Sequence, residues 1–116
     1  MEVLEIVETA VKALDSKKGF DIKAIKIDDL TVIADYFLIA TASSSTQVRA
    51  LAEEVEYQLD LKNNPVHHIE GRGSNWILLD YGSVIVHVFH RETREFYGLD
   101  HTWADGKQID IEKFLA

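Results

Sequence analysis

The chain has 116 residues, 47% of them hydrophobic, which is enough to bury one sizeable core and too little for two ordinary domains. It contains no cysteine, so disulfides, thiolate nucleophiles and thiolate zinc sites are excluded together. Its 20 acidic residues against 12 basic ones, a net charge of −8, argue against direct DNA binding and suit a basic protein partner, whose encounter an acidic surface steers.

No apolar stretch reaches the roughly 18 to 20 uncharged residues that a membrane helix needs. Glu2, Glu5 and Glu8 stand where a signal peptide would be basic. A cytoplasmic protein with no membrane association is expected, organised as one domain over 1–103 and a C-terminal tail over 104–116.

Apolar residues at Val3, Leu4, Val7, Ala10, Val11 and Leu14 keep the spacing of one helical face, predicting a helix over 2–18 that stops at Gly19. The stretch "FDIKAIKIDDL" alternates imperfectly, as a strand with one partly exposed face does. "ADYFLIATA" is nearly all apolar without alternation, which predicts a central strand covered on both sides. Ser44 with Gln47 three residues on forms a capping box. Val48, Leu51, Ala52, Val55 and Leu59 continue at helical spacing until Asn63, Asn64 and Pro65, so a helix over 45–61 is predicted.

A short strand in "VHHIEGRGSN" then leads through a Gly-rich loop to "WILLD", the turn Tyr81-Gly82-Ser83, and "VIVHVF", an antiparallel hairpin. "RETREFYGLDHTW" reads as one or two helical turns broken at Gly98, and "ADGKQIDIEKFLA" as a polar tail with a small apolar patch at its end. The order implies an α/β fold: a single mixed β-sheet of about five strands flanked by helices.

The histidines invite metal or catalytic readings. On a strand over 84–89, His87 shares a face with Ile85 and Phe89, while His90 falls opposite with Val86 and Val88, so the two do not easily share a metal. His67, His68 and His101 follow no recognised ligand spacing, and no metal or cofactor is expected. Ser74 or Ser83 with His87 and Asp80 could make a nucleophilic triple, but no G-x-S-x-G elbow is present. "EGRGSN" lacks a phosphate-loop spacing.

A nucleotidyltransferase would follow a Gly-Ser pair with two carboxylates at i, i+2 to hold magnesium. Gly82 and Ser83 are followed instead by apolar residues and His87. The aromatic residues Trp76, Tyr81, Phe89, Phe96, Tyr97 and Trp103, interleaved with Arg91 and Arg94, suit either a core or a protein interface.

Taken together, Glu70-Gly71, Trp76-Ile77-Leu78-Leu79-Asp80-Tyr81-Gly82, Val86-His87-Val88-Phe89 and Arg94-x-Phe96-Tyr97-x-Leu99 resemble the ribosomal silencing factor family, also called Iojap-like proteins. "DDLTVIADYFLIATASSSTQVRALAEEV" is similar to the family's first half, and the resemblance covers about residues 2 to 104. Asp100 and Thr102 depart from it, standing where the family usually has Glu and Leu.

The resemblance implies a nucleotidyltransferase-like fold without the catalytic carboxylates and a non-enzymatic translation repressor. Such a repressor binds the large ribosomal subunit through ribosomal protein fourteen, blocks joining of the small subunit, and is a homodimer when free. The motif positions with polar or aromatic groups, Trp76, Asp80, Tyr81, His87, Arg94, Tyr97 and Asp100, are the expected partner-binding residues. The alternative is a nucleotide-acting enzyme on the same fold.

Overall fold

The computed structural model describes residues 1–28, 34–97 and 106–115, with the backbone alone at 95–97. The first apolar face becomes α1 (Val3–Ser16), which buries Ile6, Val7, Ala10, Val11 and Leu14. It closes two residues before the predicted end at Lys18. Lys18 takes the left-handed conformation (φ 66°), and Gly19 N–H donates to the Leu14 carbonyl at 2.9 Å. A side chain at Gly19 would stand 3.0 Å from that carbonyl and press on Leu51, so the glycine serves close packing.

Strand β1 (Phe20–Lys26) carries a bulge between Phe20 and Lys23, with Asp21 at φ 47°. Strand β2 (Tyr36–Ala42) is buried on both faces from Phe37 onward, as its unbroken apolar run predicts.

Helix α2 (Ser45–Leu61) has the predicted bounds. Ser44 Oγ accepts the Gln47 N–H at 3.1 Å, but the reciprocal bond falls one residue earlier than in a capping box, with Gln47 Oε1 accepting from Ser43 N–H at 2.7 Å. Gln47 Nε2 donates to the carbonyls of Lys17 and Lys18, so one side chain ties the start of α2 to the end of α1. Val48, Leu51, Val55 and Leu59 are fully buried. At about 1.5–3 kcal/mol per large aliphatic side chain, burial rather than helix propensity holds α2 in place.

The second half supplies β3 (His68–Glu70), β4 (Trp76–Asp80), β5 (Val84–His90) and α3 (Arg91–Tyr97). Among the described residues the sheet has six strands, in the order β3-β4-β5-β2-β1-β6, where about five were expected. The added strand is β6 (Lys107–Ile109), which pairs antiparallel with β1 through Ala24↔Ile109 and is followed by α4 (Glu112–Leu115). Ile109, Ile111 and Phe114 pack on the core. An edge strand of three residues with one inward apolar side chain leaves almost no periodic signal, so the segment reads as polar in sequence. Gly98, where the preceding helical turns were expected to break, lies outside the described residues.

Strands β2 and β5 are parallel, and every other pairing is antiparallel. Helices α1 and α2 cover one face, over Leu38, Ala40, Ile77, Leu79, Val84, Val86 and Val88. The other face gathers Ile25, Ile27, Phe37, Ile39, Ile85 and Phe89, with Trp76 and Leu78 packed against them.

Candidate protein-docking groove

The alternation of β4 decides what its side chains meet: Ile77 and Leu79 enter the helix-covered core, whereas Trp76 and Leu78 turn to the second face and stay half-buried. The loop before β4 folds tightly beside them. Gly71 sits at φ 83°, and a Cβ there would lie 2.0 Å from the Trp76 carbonyl, so no other residue fits. Ser74 Oγ donates to the Gly71 carbonyl at 2.7 Å, and Asn75 is held by Ser45 Oγ and by the His90 N–H on its carbonyl.

Between this loop, β4 and α3 runs a groove of about 470 Å³. Trp76 and Leu78 give it an apolar floor, and Glu70, Ser74, Asn75 and Thr93 line it with polar groups.

Behind Trp76 lies an aromatic stack. The indole Nε1–H donates to His87 Nδ1 at 3.1 Å, and the ring lies on Phe89 with centroids 4.9 Å apart and planes 27° apart. Phe37 meets His87 edge-on at 5.0 Å. His87 is 4% exposed, and burial pushes its pKa down from 6.5 to about 4. It is therefore neutral at pH 7. With Nδ1 accepting, the proton sits on Nε2, which has no hydrogen-bond partner among the described residues.

Tyr81, Asp80 and Arg94 have other surroundings. Tyr81 is 3% exposed inside the helix-covered core; its hydroxyl lacks a hydrogen-bond partner among the described residues, and burial, with Glu56 and Asp60 nearby, raises its pKa well above the usual tyrosine range. Asp80 is half-buried and accepts the Gly82 N–H at 2.7 Å, which shapes the β4–β5 turn. Arg94, 8% exposed, reaches from α3 to the Asp21 carbonyl in the β1 bulge and to Thr41 Oγ1. Tyr97 ends α3 with its side chain outside the description, and Asp100 lies outside the described residues.

Of the seven, Trp76 is the one that lines the groove among the described residues, and His87 stands directly behind it. The sequence reading did not single out Leu78, Asn75 or Thr93. The alternation that pairs Trp76 with Leu78 could have flagged the first; the other two are brought in by the loop and by α3. His90 has a local task, its Nδ1 accepting the Glu92 N–H at the start of α3.

Ile85 and His87, which follow the Gly82-Ser83 pair in place of a magnesium-holding carboxylate pair, are both buried in β5. Ser74, Asp80 and His87 each bond a different partner: the Gly71 carbonyl, the Gly82 N–H and the Trp76 indole. Among the described residues no three His, Asp or Glu side chains cluster as a metal site would require, and His101 lies outside them. No helix among them is long and apolar enough to cross a membrane.

Comparison with known proteins agrees with the motif pattern. The family model described as "Ribosomal silencing factor during starvation" matches residues 1–116. The chain is 37% identical to ribosomal silencing factor RsfS of Bacillus subtilis, covering 97% of this chain and 96% of that protein. It is 33% identical to the chloroplastic protein Iojap of Arabidopsis thaliana, over 90% of this chain and 44% of that one. A crystal structure of a Chromobacterium violaceum protein superposes with a TM-score of 0.87 at 33% identity, covering 95% of this chain and 92% of that one. A second, from Bacillus halodurans, gives 0.82 at 31% identity, with 92% and 98% covered. With its whole length matched and its fold shared, the chain belongs to the ribosomal silencing factor family.

Proposed function

We propose that this protein represses translation in the cytoplasm by binding the large ribosomal subunit through ribosomal protein fourteen, where its bulk blocks joining of the small subunit. It acts as a binding protein, without catalysis or cofactor, and is a homodimer when free. The observation that carries the reading is the Trp76–Leu78 groove with Glu70 at its rim, on a chain of net charge −8. Ribosomal RNA repels so acidic a surface, so a basic ribosomal protein is its physical landing site. A half-buried tryptophan in a groove is the kind of anchor from which a protein interface draws most of its affinity. Membership of the family supports association with the ribosome.

The test is sedimentation of purified large subunits with the protein, followed by small subunits. The peak of joined ribosomes should shrink with rising protein, and Trp76→Ala should weaken binding by about 30-fold, the loss of a single hot-spot anchor. An undiminished joined peak at saturating protein would end the steric reading. Turnover of a nucleotide with magnesium or manganese that disappears on changing His87 or Asp80 would replace it with the enzymatic one. Light scattering across a dilution series checks the dimer, which should give way to monomer as concentration falls; a single monomer mass throughout would remove it.

A further inference from the structure

Resting on that reading of the groove, we propose that His87 is a positioning residue for docking. Its Nδ1 takes up the Trp76 indole N–H, so the groove presents a fixed apolar ring, suited to an aliphatic or cationic side chain of the basic partner rather than to a hydrogen-bond acceptor.

At 4% exposure His87 is too deeply buried to serve as a contact surface, yet it is the hydrogen-bond partner of Trp76, an expected site residue that lines the groove. The geometry holds the ring at two points. The indole N–H ends on Nδ1 at 3.1 Å, and the ring plane rests on Phe89 at 4.9 Å. The imidazole is held in its turn, nearly parallel to Phe89 (11°, 5.9 Å) and edge-on to Phe37 (72°, 5.0 Å). An indole has one donor, and here it is spent inside the protein.

A tryptophan with two rotatable side-chain bonds would otherwise lose rotamer freedom on binding; fixing it beforehand removes that cost and speeds no chemistry. Burial keeps the imidazole neutral across the neutral pH range, so Nδ1 remains an acceptor there. Where it lines the groove, the indole offers a partner apolar surface rather than a donor, which suits the aliphatic stems of lysine and arginine beneath their cationic heads.

The test uses the full chain in wild-type form and as Trp76→Ala, His87→Phe and His87→Asn. Each is measured for affinity to large subunits and for the Trp76 indole N–H resonance, assigned by comparison with Trp103→Phe. Asparagine puts a carbonyl oxygen near the place of Nδ1; phenylalanine keeps a stacking ring and removes the acceptor. His87→Phe should bind about tenfold more weakly, with the indole resonance shifted towards that of a solvated indole, and His87→Asn should recover both.

If Trp76→Ala binds like the wild type, the groove itself is not the docking site. If Trp76→Ala loses binding while folded His87→Phe keeps it, the groove stands and the positioning role falls. Should His87→Phe fail to fold, His87→Asn still decides: affinity retained without the bonded indole resonance, or lost with it, overturns the proposal.

Discussion

The two faces of the sheet both bury strand side chains but use them differently. Under α1 and α2 the contacts are aliphatic: Leu38, Ile77, Leu79 and the valines of β5 meet Val7, Leu14, Val48, Leu51, Val55 and Leu59. Such contacts have no preferred direction, and their strength grows with the area removed from water. The opposite face sets the rings of Phe37, Trp76, His87 and Phe89 among isoleucines, with Arg94 buried at its margin on α3, and the indole N–H and the Arg94 guanidinium are each directed at a named partner across the fold. The contrast teaches that one face supplies stability, while the other uses directional bonds to hold a ring at the wall of a groove.

Cutting into the aliphatic face should give the largest effect. Leu59→Ala removes a fully buried side chain from α2 and should lower the unfolding free energy in urea by roughly 4 kcal/mol, with the affinity of the folded fraction for large subunits unchanged. A drop below about 1 kcal/mol would mean that this face is loosely packed and the contrast is overdrawn.

The aromatic face should reveal itself through pH. The pKa of His87 falls from 6.5 in the unfolded chain to about 4 in the fold, so between those values the unfolded chain takes up a proton that the folded one refuses. This contribution to stability is complete above about pH 6.5 and is lost as pH falls toward about 4, a total of about 3 kcal/mol. Urea unfolding of wild type and His87→Phe across that range should diverge by this amount; parallel curves would mean that the imidazole is open to solvent.

The smallest effect lies at the one blemish on the aliphatic face. The Tyr81 hydroxyl is buried without a hydrogen-bond partner among the described residues, so Tyr81→Phe should leave stability unchanged or raise it by about 1 kcal/mol in thermal unfolding. A loss of more than about 1 kcal/mol would show that the hydroxyl is satisfied after all, for instance by a bound water.

Much of the fold was legible because its signals are local. The bounds of α2 follow from Ser44 and Gln47 at one end and Asn63 and Pro65 at the other. The alternation in β5 places His87 with Ile85 and Phe89, and the unbroken run in β2 marks the strand with neighbours on every side. What escaped were the parts that owe their structure to a distant segment. Strand β6 exists because β1 offers an edge to pair with. Arg94 finds its carbonyl acceptor at Asp21, 73 residues earlier, in a bulge that no periodicity announces. Tyr81 and Asp80 are adjacent motif residues, yet one enters the core and the other caps a turn, because a strand ends between them.

The sequence by itself determined the chemistry available: an acidic chain without thiols, a strand whose metal-holding positions are apolar or imidazole, and a motif set shared with one family. Tertiary structure alone decided which motif residues face outward. The β4–β5 register sets Leu78 opposite His87 and Trp76 opposite Phe89, so the indole reaches diagonally to Nδ1 while remaining at the groove. Side-chain period is written in each strand, but register is fixed between strands by the packing of both faces together, and no single segment carries it.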